Sequence, residues 1–305
     1  MIDQKKIWRY SLIVVGFTLL FITSTLFFAL TIYPNFREPS ENIDVAEFLI
    51  EDGKPHPLVV LFGGSGGGNS WAKPHPKNTE RIKSLQDLGF SVITIGYFGT
   101  STTSRFLLDI SLDQIMAEID SVAARDAIQN KCVSLLGISR GGELVLLLSS
   151  LHESVNLVVS VVPSHVVWPA IYPAFPQKSA WQHHGTPLVF LPSSTITWIK
   201  RVAFGFEDHE MAEALRDAVA EEKALIHVED INGPILLISG KTDEEWPSYA
   251  MSRKVMDRLS EHEFQYESKH VAQDTGHFVF RDKSSWKEVL SFLNRHINKN
   301  GLCSN

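Results

Sequence analysis

A chain of 305 residues, 44% hydrophobic and 21% charged, holds ample material for one large α/β domain or two ordinary ones, and its composition is that of neither a disordered nor a fibrous protein. A net charge of −7, with no basic stripe carrying interleaved aromatics, argues against a nucleic-acid partner. The cysteines are Cys132 and Cys303 alone. Two such cysteines make neither a disulfide framework nor a zinc-ligand spacing.

From Leu12 to Tyr33 there is no charged residue, and the run is long enough to cross a hydrocarbon core of roughly 30 Å as a helix. Lys5, Lys6 and Arg9 precede it and should stay in the cytoplasm, which places the rest of the chain on the extracytoplasmic side. The run is too long for a typical signal-peptide core, and no A-x-A-type cleavage site follows it. Residues 1–34 are therefore expected to form an uncleaved single-pass membrane anchor, residues 35–50 a polar tether, and residues 51–299 the folded domain.

Within that domain, Pro57 to Phe62 reads as a short buried strand running into a glycine loop, Gly63 to Gly68. Residues 77–88 suggest a helix closed by Gly89, and Phe90 to Tyr97 the next strand. Ser111 to Asn130 reads as an amphipathic helix, with Leu112, Ile115, Ile119 and Val122 at helical spacing. An apolar strand from Val133 then enters Gly137-Ile138-Ser139-Arg140-Gly141, and an apolar run of helical length leaves it. This is the strand–turn–helix setting of a nucleophile elbow, in which a tight turn lifts a serine hydroxyl above a parallel sheet. The pattern alone would arise by chance in about one chain in ten of this length, so its setting carries the weight.

Val155 to Val162 supplies another strand. Residues 165–228, rich in Pro, Trp and His at first and helical over 206–225, read as a cap-like excursion that contributes to the substrate pocket. Pro234 to Ser239 resumes the strand pattern, Glu263 to Val271 gives the last strand, and Trp286 to His296 the closing helix. Strands alternating with helices in this way imply a mostly parallel, doubly wound sheet, the α/β-hydrolase fold.

A serine hydroxyl needs a base, and the base needs a partner that fixes its tautomer. In the α/β-hydrolase order, acid and then histidine follow the serine, each in a loop after a strand. Asp243, directly past the strand ending at Ser239, is the candidate acid, with Glu244 and Glu245 as rivals. His277, after Gly276 in the loop that follows the last strand, is the candidate base, with His270 as its rival. The backbone N–H of Arg140, together with one from Gly64 or Ser65, should form the oxyanion hole. The Arg140 side chain reads as an exposed charge. The glycine run lacks the Gly-Lys-Ser/Thr ending of a phosphate-binding loop. His183-His184 has no partner at ligand spacing, so neither metal nor cofactor is expected.

With these residues in place the chain resembles the C-terminal catalytic domain of the acyl-CoA thioesterase / bile-acid-CoA:amino-acid N-acyltransferase family, an α/β-hydrolase group near dienelactone hydrolase. The resemblance rests on Leu136 to Leu144 (LGISRGGEL) and Ile231 to Gly240 (INGPILLISG), continued by Asp243 and Trp246-Pro247-Ser248, with weaker support from Leu61 to Gly64 and Asp109 to Leu112. It implies that the family's triad falls on Ser139, Asp243 and His277. Members that transfer acyl groups to amino acids carry cysteine at the nucleophile position, so Ser139 implies hydrolysis. The better-known members have an immunoglobulin-like domain where this chain has the apolar run and the tether. The expected function is a membrane-anchored serine hydrolase acting on a small-molecule acyl ester or thioester, including acyl-CoA. The alternatives are an acyltransferase on the same triad and a catalytically silent, membrane-tethered binding protein.

Overall fold

The computed structural model describes residues 15–16, 18–20, 22–24, 42–172, 176–192 and 210–303. The chain divides into two units, residues 1–40 and 41–305. In the first, the described residues are helical, and Thr23 Oγ1 donates to the Leu19 carbonyl at 2.9 Å. Most of the expected membrane span, residues 12–33, lies outside the described residues. Among those that are described, no helix is long and apolar enough to cross a membrane.

The second unit is built on a seven-stranded sheet. Its strands in chain order are β1 (Asp44–Phe48), β2 (His56–Phe62), β3 (Ser91–Gly96), β5 (Ile128–Ile138), β6 (Leu157–Val161), β9 (Ile235–Gly240) and β10 (Ser268–Gln273). They lie in the spatial order β1-β3-β2-β5-β6-β9-β10. Only β1 runs antiparallel to its neighbour. A second sheet of three short strands joins β4 (Ile110–Ser111), β7 (Trp181–His183) and β8 (Thr186–Pro187). The central strands read as continuous Val/Ile/Leu runs because both faces of the parallel sheet are covered. One apolar cluster packs beneath each face.

The helices are α1 (Pro76–Gln86), α2 (Leu112–Ala123), α3 (Arg140–Leu151), α4 (Glu210–Ala214), α5 (Ala218–Lys223), α6 (Ser248–Glu261) and α7 (Lys283–Leu293). Helix α2 starts where the Ser111 hydroxyl accepts from the Gln114 N–H, and it buries Ile115, Ile119 and Val122. Helix α3 is buried along almost its whole length, so its Leu/Val run shows no amphipathic stripe.

Four details depart from the sequence reading. Residues 44–48, expected within the tether, form edge strand β1, in register with Val92 to Gly96 of β3. The nucleophile strand starts at Ile128 instead of Val133, which shortens the preceding helix to Ala123. The helical stretch at 206–225 is interrupted, because Asp217 caps a new helix by accepting from the Ala220 N–H. The last strand lies at 268–273 rather than 263–271.

A fifth departure concerns the cysteines. Cys132 in β5 and Cys303 near the C-terminus, 171 positions apart, form a disulfide with a Cα–Cα distance of 5.6 Å. The Asn130 side-chain amide donates to the Cys303 carbonyl at 2.8 Å and seats the tail beside the strand.

Candidate active site

The register of the parallel strands assembles the site. Phe62 of β2 is level with Gly137 of β5, so the chain leaves both strands at the same height. That sets Gly64 against Ser139: a Cβ on Gly64 would lie 3.1 Å from Ser139 Cβ and 3.6 Å from its Oγ. Only a glycine lets the loop lie so close to the nucleophile without displacing it.

Ser139 has φ 58° and ψ −120°, a region sparsely used by residues with a Cβ, and α3 begins immediately after it. The sharp turn demands glycine at 137, where a Cβ would sit 1.9 Å from the Gly141 carbonyl oxygen. The elbow is tied to the sheet by the Ser139 N–H donating to Val161 O at 2.9 Å. Arg140 opens α3, so its N–H is one of the helix's unsatisfied first donors.

Asp243 and His277 follow the paired ends of β9 and β10, where Gly240 is level with Gln273. His277 Nδ1 lies 2.9 Å from Asp243 Oδ1 and 3.0 Å from Oδ2. The Asp243 side chain is 1% exposed. It is held there by the N–H groups of Glu245 (3.0 Å) and Trp246 (3.3 Å) and by the Ser248 hydroxyl. Buried carboxylates demand such donors. With Nδ1 engaged by a carboxylate, the imidazole presents Nε2 as its acceptor. Ser139 and His277 line the same cavity of about 400 Å³. Their side chains are not hydrogen-bonded to each other.

The rivals have other duties. Glu244 Oε2 accepts the His277 N–H at 3.0 Å, which fixes the loop rather than the ring. Glu245 lines the cavity. His270 stays within β10, where its Nε2 meets Ser239 Oγ at 2.7 Å, and burial lowers its pKa. Gly64 and Ser65 line the cavity, and among the described residues their N–H groups make no backbone hydrogen bond.

One expectation is corrected. The Arg140 side chain is buried, not exposed. It forms an ion pair with Glu143 at 2.7 Å and donates to the carbonyls of Trp168 and Pro169, each at 3.2 Å. The described residues of 165–228 do not line the cavity, and residues 173–175 and 193–209 of that expected excursion lie outside the described residues. The cavity is also lined by Lys77 and Arg81 of α1 and by Phe278, Phe280 and Arg281 after the histidine. Sequence reasoning missed these residues. Arg81 is anchored by donating to Phe280 O at 2.8 Å, and its guanidinium lies over the rings of Trp71, Phe280 and Trp286. The signal that could have found Ser248 is its place at the start of a helix, five residues past the acid.

His183 and His184 lie beside Asp113, with His184 Nδ1 at 2.7 Å and His183 Nε2 at 3.6 Å from Asp113 Oδ1. The two imidazole rings are stacked at 3.9 Å, so a carboxylate partner for the pair exists that the sequence did not reveal.

Comparison with known proteins agrees with this architecture. Acyl-coenzyme A thioesterase 1 of Rattus norvegicus is 22% identical over 233 residues, covering 76% of this chain and 51% of the rat protein. Acyl-coenzyme A thioesterase 6 of Homo sapiens is 23% identical over 248 residues, covering 80% of this chain and 54% of the human protein. The chain thus spans about half the length of these relatives. Among solved structures, the Pyrococcus furiosus esterase superposes with a TM-score of 0.54 at 14% identity, covering 84% of this chain and 89% of that one. The Paleococcus ferrophilus monoacylglycerol lipase gives 0.52 at 17% identity, covering 84% and 99%. These likenesses establish the α/β-hydrolase fold. A family model described as "BAAT / Acyl-CoA thioester hydrolase C terminal" matches residues 115–280.

Proposed function

Since the chain belongs to the BAAT / acyl-CoA thioester hydrolase C-terminal family, we propose that it is a serine hydrolase cleaving an acyl ester or thioester through an acyl-enzyme. The observation that carries this reading is the meeting in one cavity of a serine on a strained elbow and an imidazole whose Nδ1 is committed to a buried carboxylate. In the reaction, Ser139 Oγ attacks the acyl carbonyl and its proton passes to His277 Nε2. Asp243 holds the ring in the tautomer that can accept that proton and stabilises the imidazolium formed. The N–H groups of Arg140 and of Gly64 or Ser65 receive the oxyanion. His277 then protonates the departing alcohol or thiol, and water resolves the acyl-enzyme by the same steps. The names of the relatives make acyl-CoA the first substrate to test.

The apolar run of residues 12–33, with its basic N-terminal flank, is proposed to anchor the protein in a membrane with the catalytic domain on the extracytoplasmic side. The Cys132–Cys303 disulfide supports that placement, because such bonds persist in oxidising compartments.

A fluorophosphonate probe should label the wild-type chain and fail to label Ser139→Ala. Labelling that survives the substitution would refute the role of Ser139. Hydrolysis assays over p-nitrophenyl esters of graded chain length and over acyl-CoAs would fix the substrate. Deletion of residues 1–34 should release the protein from the membrane fraction, and retention there would refute the anchor.

A further inference from the structure

Beside the nucleophile the fold buries an arginine–glutamate pair. The side chains of Arg140 and Glu143 are 3% and 0% exposed. Such a pair costs two desolvations and is weak evidence of stability, since well-packed apolar residues often do as well. Its connections are more informative than its energy. Glu143 Oε1 accepts from Trp181 Nε1 at 2.7 Å and from the Trp168 N–H at 3.1 Å. The Arg140 guanidinium lies 5.7 Å from the centre of the Trp181 ring.

From that centre one arm runs to the oxyanion loop. Tyr97 packs on Trp181 with ring centroids 5.6 Å apart, and its hydroxyl donates to the Gly63 carbonyl at 2.9 Å. A second arm runs to the base. Trp168 stacks on Trp246 at 6.4 Å, and Trp246 meets the His277 ring edge-on at 6.2 Å while its backbone N–H donates to Asp243. The glycine loop, the elbow, the acid and the base follow four different strands of the sheet, β2, β5, β9 and β10, and this buried cluster reaches each of them.

We propose that Arg140 and Glu143 are positioning residues. Through Trp181 and Trp168 they set the Arg140 N–H, the Gly63–Gly64 loop and the His277 ring relative to Ser139. The part of the 165–228 excursion that bears the two tryptophans serves here as a strut behind the site. None of these four side chains lines the cavity, so they act on turnover and not on substrate binding.

The inference rests on the hydrolase reading, and the two can be tested apart. Two variants are made in the full chain: the apolar double substitution Arg140→Met with Glu143→Met, and Trp181→Phe, which removes a single donor. Both are assayed on a p-nitrophenyl ester, with kcat taken per folded molecule and thermal unfolding measured in parallel. The double variant is expected to unfold at or near the wild-type temperature yet lose tenfold or more in kcat, with KM within twofold. Trp181→Phe is expected to lose threefold or more in kcat, again at constant KM, and decides alone if the double variant does not fold. Wild-type kcat in Trp181→Phe, or in both variants, overturns the inference, as does a loss confined to KM. A wild-type chain that neither hydrolyses esters nor takes the fluorophosphonate label overturns the hydrolase reading instead.

Discussion

Replacing Cys303 with serine should weaken the fold without weakening the chemistry. The bond closes a loop across 171 positions, which contains Ser139, Asp243 and His277. In the chain-entropy treatment, the closure term is about 2.1 plus 1.5R ln n cal/mol/K, and n near 171 makes it worth about 5 kcal/mol at 25 °C. With a urea slope of roughly 3 kcal/mol/M, the unfolding midpoint should fall by about 1.5–2 M. Cys132 lies on β5 seven residues before Ser139, which follows the end of that strand, so the bond sits roughly 20 Å from the nucleophile. Turnover at 20 °C should therefore match the wild type. The assay is equilibrium urea unfolding followed by tryptophan fluorescence, comparing Cys303→Ser, wild type, and wild type treated with a reductant. A midpoint within 0.3 M of wild type (about 1 kcal/mol at that slope) would refute the reasoning, as would two titratable thiols in unreduced protein purified from an oxidising compartment.

The contact between Gly64 and Ser139 predicts that Gly64→Ala folds but loses about tenfold or more in kcat. The new methyl must push the glycine loop off the nucleophile by a few tenths of an ångström, and measured oxyanion-donor losses run from about a hundredfold upward; wild-type kcat would show that the loop is not an oxyanion donor. Stability should also fall as the medium is acidified. Burial pushes the His165 imidazole down from 6.5 to about 4, and this outweighs the pull of Glu221, which Lys254 also contacts. Because the folded value lies below the unfolded one, the contribution is intact above pH 6.5 and is lost as the pH falls from 6.5 through 4. The full effect is about 3 kcal/mol. Denaturant midpoints measured from pH 7.5 to 4 should show a flatter profile for His165→Gln than for wild type, and superimposable profiles would refute the assignment.

The central strands were legible in the sequence because the parallel sheet is buried on both faces, so each strand is a bare apolar run between glycines and polar turns. Ser139 and Asp243 were legible as candidates because each directly follows such a run, and His277 because a glycine precedes it in the loop after the last strand. β1 was not, since Asp44-Val-Ala-Glu-Phe48 is an edge strand with one face toward water and reads as polar chain. The disulfide was hidden by its 171-position separation, over which spacing carries no information. Arg140 was misread because arginine is rarely buried unless paired, and its partner three residues on becomes a partner only once the elbow starts a helix at Arg140. Helix α6 carries Met251, Val255 and Leu259 at helical spacing, and that periodicity is present in the sequence.

The backbone at Ser139 has a further consequence. A side chain held at φ 58° costs the folded state on the order of 1–3 kcal/mol, in a protein whose whole margin is on the order of ten. Glycine at that position would relieve the strain and delete the hydroxyl in one step. Selection for robustness and selection for turnover therefore pull in opposite directions on a single residue. A lineage of this fold released from its chemistry would be expected to drift first at position 139, gaining stability as it lost its nucleophile.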